Sequence, residues 1–443
     1  VTAPNQQPPS LPPLHESRLP NVHPLYRPRH GGHQWVALVC ALVFFVPPVL
    51  ALLLGARPVE FENRKLADFP SLGADFFPGL SRWATDHLPF RPDAVHAANG
   101  ISRGVFGEPA PFNQGHNDQA GPLPAPSPET ETRPAVPNGP DPNRPNLNDP
   151  NLYRKVLEGK DGWLYYGFDA DAKCTPAKPL DETIQRIQRL RQVVEASGRK
   201  FVFLVAPDKS TMEPDKLPDS FAGKDCWDAA STTFWQRVPT ETGAIDVRPR
   251  LIQTEQAVHH PVYHQLDTHW TDEGGIAMAR VVAERLQPGI TGTWRTEQGK
   301  EWASYADLPP LLGSSGANRG NYYSLEPDGH DNRTQELRSD YNKSIVHFGS
   351  APTTGTIADR VGLLGDSFTQ PAARYLAAAF NDIQLAHYGM LSTNPDDVLR
   401  MLDSQQTIVV EMVERTVTNG KAELLDPAII DRIGQELAKH PVR

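Results

Sequence analysis

Val361-Gly362-Leu363-Leu364-Gly365-Asp366-Ser367-Phe368-Thr369 runs from an apolar strand, through a small sharp turn, into a segment with helix signals. A buried aliphatic run that stops at Gly-Asp-Ser is how a parallel strand hands over to a helix, leaving a serine at the strand's carboxyl end. There, the N–H groups that open the next helix can stabilise a developing oxyanion. Gly365 permits the turn. Alone, the tripeptide has a plainer meaning, a turn followed by a helix cap, so its surroundings must decide.

The same rhythm repeats on both sides. Lys200 to Ala206 is the clearest strand, preceded by a helix from Asp181 to Ser197 with Ile184, Ile187, Leu190 and Val194 on one face, Asp181 as N-cap and Gly198 as stop. Further strands are expected at Ala244 to Val247, Ile383 to His387 and Thr407 to Met412. Helices are expected at Glu273 to Arg285, Ala372 to Phe380 and Pro427 to Lys439. Alternating strands and helices predict an α/β fold with a mostly parallel sheet. The stretch 287–358, rich in Gly, Asn, Tyr and Ser and without periodicity, reads as an irregular insertion.

A second string, His264-Gln265-Leu266-Asp267-Thr268-His269-Trp270-Thr271-Asp272, supplies what the serine lacks. A hydroxyl is a poor nucleophile at neutral pH and needs an imidazole to take its proton and an acid to fix the imidazole tautomer. In extended or loop backbone, residues two apart point the same way, so Asp267 can orient His269. The competing readings are a metal site among His259, His260, His264, Asp267 and His269, or a polar loop. No helical His-x-x-x-His face with a third ligand is evident, and neither a metal nor a cofactor is expected.

The chain has 443 residues, 22% of them charged, and a net charge of −10. That balance argues against nucleic-acid binding, which needs clustered Lys and Arg, and favours a neutral or weakly charged substrate. The 44 prolines crowd two stretches. A disordered tail is expected over 1–33, and a polyproline-rich linker over 108–150. Between them, Trp35 to Gly55 is free of charge and long enough as a helix, about 30 Å, to span a bilayer. A single transmembrane anchor at 34–56 is preferred to a cleaved signal peptide, because the run starts late and lacks a small-x-small cleavage site. Arg18, Arg27 and Arg29 before it and Arg57, Arg64 and Lys65 after it leave its orientation undecided. Residues 57–107 read as a helical juxtamembrane region and 151–443 as the catalytic domain. Cys174 and Cys226, the only cysteines outside the span, suit either one disulfide in an oxidising compartment or two separate thiols.

Seven strings in order resemble the AlgX/AlgJ type of alginate O-acetyltransferase, a circularly permuted branch of the SGNH hydrolases. They are Glu62-Asn63-Arg64, Asp86 through Arg91, Gly159-Lys160-Asp161-Gly162-Trp163-Leu164-Tyr165, Pro207-Asp208-Lys209, Asp267-Thr268-His269-Trp270, Gly365-Asp366-Ser367-Phe368 and Glu414-Arg415. The serine follows the Asp-x-His string, the permuted order. The resemblance implies an SGNH-like three-layer α/β/α sandwich, with Ser367 as nucleophile, His269 as base and Asp267 as its orienting acid. It implies transfer of an acetyl group to a sugar hydroxyl outside the cytoplasm, with a membrane-bound O-acyltransferase as partner. An acetyl-esterase with the same residues, or a lapsed glycan-binding scaffold, are the alternatives. Asp366, Phe368, Lys209, Trp270 and Tyr375 are candidates for the oxyanion corner or the cleft. Asp366 also reads as structural, Lys209 as a solvated lysine, and Trp270 and Tyr375 as core packing. The inserted 108–150 stretch departs from the family pattern.

Overall fold

The structure is a computed structural model that describes residues 32–54, parts of 68–106, and 153–442. The expected linker at 108–150, nearly all of the tail at 1–33, and the Glu62-Asn63-Arg64 string lie outside the described residues. Two compact units divide the chain: one holds residues up to 59 together with 66–93, the other residues 60–65 and 94–443.

In the first unit the charge-free run forms the helix Gly32–Leu53. Several of its side chains lie outside the described residues, and most of the described ones, such as Trp35, Val39, Val43 and Leu50, are exposed. Among the described residues no helix is long and apolar enough to cross a membrane. A second helix, Phe76–Asp86, carries Trp83, whose ring packs edge-on to Phe69 and stacks on His87.

The described residues of the second unit form ten strands: β1 (Val156–Glu158), β2 (Leu164–Tyr166), β3 (Lys200–Ala206), β4 (Ile245–Asp246), β5 (Arg295–Tyr305), β6 (Ala317–Glu326), β7 (Val346–Gly349), β8 (Ile357–Gly365), β9 (Phe380–His387) and β10 (Thr407–Val413). Six form the central sheet in the order β4-β3-β10-β8-β9-β7, all parallel except β7, which pairs antiparallel with β9 at the edge. Side chains alternate across each strand, so the sheet feeds two cores. Val202 and Leu204 of β3, Leu363 of β8 and Val409 of β10 meet the helices Asp272–Leu286 and Thr369–Ala379 on one face. Phe201 and Phe203, Leu364, and Ile408 and Val410 meet Leu180–Ala196, Pro395–Asp403 and Pro427–Leu437 on the other. The result is the expected three-layer α/β/α sandwich.

Two local expectations need correcting. The helix before β3 starts at Leu180, with Pro179 in the N-cap position; Asp181 sits in the first turn, where its charge favours the helix dipole without capping it. The stretch 287–358 is not irregular: β5 and β6 form an antiparallel hairpin and β7 joins the main sheet. Nearly every β5 residue is exposed, so no apolar alternation marks the strand.

Candidate active site

Because β3, β8, β9 and β10 run parallel, their carboxyl ends share one edge, and the strings Pro207-Asp208-Lys209, Asp267-Thr268-His269-Trp270, Gly365-Asp366-Ser367-Phe368 and Glu414-Arg415 gather there. Ser367 follows β8 in a turn braced from below by Asp366. That carboxylate accepts from Phe368 N–H at 3.0 Å and from Val413 N–H, at the end of β10, at 2.9 Å. Asp366 is thus structural. Below it Glu411 accepts from the Asp366 N–H at 3.0 Å and the Thr369 hydroxyl at 2.9 Å; burial and the nearby Asp366 push its carboxyl well above the usual range.

The loop His264–Trp270 brings His269 from the other side. Lys209, fully buried after β3, holds that loop by its ammonium, which donates to the carbonyl oxygens of His264 at 3.0 Å, Gln265 at 3.2 Å and Asp267 at 2.6 Å. The aromatic rings of Trp163 and Tyr165 flank the charge, and burial lowers the Lys209 ammonium to about 8. Lys209 therefore lies behind the loop and outside the cleft lining. Trp270 is also buried; its indole N–H donates to the Phe368 carbonyl at 3.0 Å. Tyr375 is buried and donates to Asp272 at 2.6 Å. Neither aromatic offers a face for a sugar. Phe368 is buried against the His269 ring, 5.0 Å between centroids.

His269 Nε2 lies 2.8 Å from Ser367 Oγ, and Nδ1 lies 2.7 Å from Asp267 Oδ1. Asp267 Oδ1 also accepts the His269 N–H at 3.0 Å, while Oδ2 accepts from Asn318 at 2.7 Å and from the Asp307 N–H at 3.0 Å. Burial works against the Asp267 charge, yet the hydrogen bond and charge of His269, with Asn318, hold the carboxyl well below the usual range. Burial likewise opposes the cationic ring, but its bonds to Asp267 and Asp307 outweigh that and raise His269 to about 10.

Donor atoms of Asp267, His269 and Asp307 lie within 4.8 Å of one another. At 2.7 Å from a carboxylate, Nδ1 is placed to donate a proton, which leaves it no lone pair for an ion. His259 and His260 are exposed, and burial lowers His264 to about 4.

Behind these loops is a buried ion cluster. Lys173 lies 2.6 Å from Asp208 and 3.0 Å from Glu414; Arg415 lies 3.0 Å from Asp208 and 3.4 Å from Asp169. The Arg415 guanidinium also sits over the Phe368 ring. Pro207-Asp208-Lys209 and Glu414-Arg415 thus serve the back of the site, and burial, reinforced by Asp208, raises Asp169 to about 7.

Ser367 opens on a cleft of about 460 Å³, lined also by Trp302, Ser304 and Tyr322 of the β5–β6 hairpin and by Gln370 and Arg374 of the following helix. Arg374 lies over the Tyr322 ring at 4.3 Å, and its Nε is buried without a hydrogen-bond partner among the described residues. The sequence reading missed Asp307, Asn318 and the hairpin aromatics, which sit in the aperiodic stretch. Arg374 had a usable signal: Gln370 and Arg374, four apart on one helix, share a face that leads away from the serine.

A serine, an imidazole and a carboxylate in line at the carboxyl edge of a parallel sheet define the class: an SGNH-like α/β domain. The family model described as "SGNH hydrolase-like domain, acetyltransferase AlgX" matches residues 156–385, just over half of the chain. The chain belongs to this family. A probable alginate O-acetylase AlgJ of Pseudomonas syringae pv. tomato (strain ATCC BAA-871 / DC3000) is 27% identical over 138 residues, which are 30% of this chain and 33% of the relative. The match thus spans about a third of that relative's length. Among solved structures, the O-acetyltransferase domain of Pseudomonas putida AlgJ aligns with a TM-score of 0.42 at 19% identity, over 63% of this chain and 98% of that one. Pseudomonas aeruginosa AlgX aligns at 0.42 and 16%, over 64% and 66%, and Bacillus cereus PatB1 at 0.41 and 14%, over 60% and 99%.

Proposed function

We propose that this chain is a membrane-anchored, extracytoplasmic O-acetyltransferase that takes an acetyl group onto Ser367 and passes it to a hydroxyl of a cell-surface polysaccharide or glycoconjugate. The observation that carries the reading is the unbroken line from Asp267 through His269 to Ser367, 2.7 Å and 2.8 Å, opening on a cleft.

As Ser367 Oγ attacks the acetyl carbonyl carbon, its proton passes to His269 Nε2, and Asp267 steadies the imidazolium through Nδ1–H. The negative oxygen is met by the Ser367 N–H and by the positive end of the helix Thr369–Ala379. Collapse expels the donor's leaving group, which takes the proton from Nε2. In the second half the acceptor hydroxyl gives its proton to Nε2 and attacks the acetyl-serine, and Oγ leaves reprotonated. Water in the acceptor's place turns the same residues into an esterase. The cleft favours a sugar: the aromatic surfaces of Trp302 and Tyr322 suit C–H faces, while Ser304, Gln370 and Arg374 supply polar groups for hydroxyls.

Support for the envelope setting comes from the charge-free sequence run Trp35 to Gly55 and from the disulfide Cys174–Cys226, which suits an oxidising compartment. Acetyl donors of the cytoplasm lie across the bilayer from such a site, so a membrane-bound O-acyltransferase is the partner this reading requires. The P. syringae relative's printed name, an alginate O-acetylase, points to a polysaccharide acceptor.

Incubating the full chain with a chromogenic acetyl ester, with and without glycan acceptors, tests the reading. Acetylated glycan supports it, free acetate alone marks an esterase, and neither product marks a glycan-binding scaffold. Ser367→Ala is expected to cut either product by roughly 10⁴-fold or more; unchanged turnover removes the assignment.

A further inference from the structure

The imidazole of His269 has a second carboxylate beside it. Asp307 Oδ2 lies 3.4 Å from Nδ1, against 2.7 Å for Asp267 Oδ1, so two acids reach one ring nitrogen. Asp307 follows β5, and its place is set by the loop that carries the base. Its carboxylate accepts from the Thr268 N–H at 2.9 Å and the Thr268 hydroxyl at 2.5 Å, and its own N–H donates to Asp267 Oδ2 at 3.0 Å. Two carboxylates held together in this way repel each other unless positive charge sits between them, and the protonated ring is that charge.

We infer that Asp307 is a second positioning acid for His269, sharing the Nδ1 edge of the ring with Asp267. The inference rests on the reading of His269 as the base that serves Ser367. The proton that moves travels between Oγ and Nε2; the proton on Nδ1 stays there, directed at the pair of carboxylates, and neither acid takes it. The other titratable groups around the ring are His264 on its own loop, held neutral by burial, Lys209 behind the loop, Ser367 after β8, and Tyr166 of β2 facing Asp307. Lys209 donates to the carbonyl oxygen of Asp267. Burial and the charge of Asp267 push the Asp307 carboxyl up while its bonds to His269 and Thr268 pull it back, and the ring's raised basicity tracks both acids.

The consequence is a distinctive pH profile. With both acids in place the ring is cationic at neutral pH, the free base is scarce, and turnover climbs as pH rises. Taking away one negative charge weakens the base and at the same time frees it at lower pH. A residue that only shaped the loop would lower the rate by one factor at every pH.

The experiment is the pH profile of 4-nitrophenyl acetate turnover by the full chain, with Asp307→Asn, Asp267→Asn, the double variant, and Ser367→Ala as the blank. Asp307→Asn is expected to move the acidic limb down by about one pH unit and to lower the alkaline plateau by about tenfold. The double variant is expected to fall at least about tenfold below Asp267→Asn, since Asp307 no longer holds the tautomer. An unshifted profile, or one uniform loss across the range, overturns the inference. Turnover that survives Ser367→Ala sinks the underlying reading instead, whatever Asp307 does. If Asp307→Asn does not fold, nitrogen-15 NMR titration of His269 in the unmodified chain decides. Set against the same titration in Asp267→Asn, a ring that still titrates above the usual value of about 6.5 once Asp267 is neutral supports the second acid, and a ring at or below that value overturns it.

Discussion

The indole N–H of Trp270 donates to the carbonyl oxygen of Phe368 at 3.0 Å, joining the residue after His269 to the residue after Ser367 across 98 positions of chain. His269 and Ser367 are held at 2.8 Å in part because their next neighbours are tied together. Trp270→Phe keeps most of the ring and removes the N–H, so the expected cost is about 1–2 kcal/mol of stability, read by urea denaturation. Turnover should fall further than that loss explains, because the spacing between base and nucleophile loosens; wild-type turnover would break the link.

Stability should fall at both ends of the pH scale, for opposite reasons. Asp267 is depressed in the folded state, so its contribution is fully present above the ordinary carboxyl value of about 4 and is lost as pH falls through its folded value. His269 is raised to about 10, so its contribution is complete below its unfolded value of about 6.5 and is lost as pH rises through the folded one. Denaturation midpoints between about pH 3 and pH 10 should therefore peak in the middle, and Asp267→Asn should flatten both flanks.

Gly365 is required by space. A Cβ there would meet Thr369 Oγ1, lie 2.9 Å from Glu411 Oε2 and 3.0 Å from the Tyr341 hydroxyl. Gly365→Ala must push one of these buried groups aside, and a loss of about 2–4 kcal/mol with collapse of turnover is expected. A variant that melts like the parent would show that the turn has room to spare.

The disulfide Cys174–Cys226 closes a loop of 52 residues. Chain entropy assigns such a closure about 4 kcal/mol, so reduction, or serine at both positions, should lower the denaturation midpoint accordingly. No change on reduction would mean that the bridge constrains little.

How much of this was legible follows from burial. Strands β3, β8, β9 and β10 are covered on both faces, so they read as apolar runs with turns between them, and the serine turn came with them. The helix Lys224–Thr242 was missed because Pro239 lies inside it, and a proline reads as a stop. The β5–β6 hairpin left no apolar alternation, and with it went Asp307, Asn318, Trp302 and Tyr322. Lys209 was noticed for its neighbours Pro207 and Asp208. That it would be buried under three carbonyl groups depended on a loop more than fifty residues away, which no local pattern encodes.

The buried ions have a consequence for how the molecule is made. Asp169 and Lys173 leave the ribosome first, Asp208 next, and Glu414 only 206 residues after Asp208, with Arg415 behind it. Until the last of them emerges, one ammonium faces two acids, and the negative charge left over lacks the guanidinium that makes its interior placement tolerable. A chain ending short of residue 415 is therefore not a weaker version of this protein; proteases should clear it as an unfinished one.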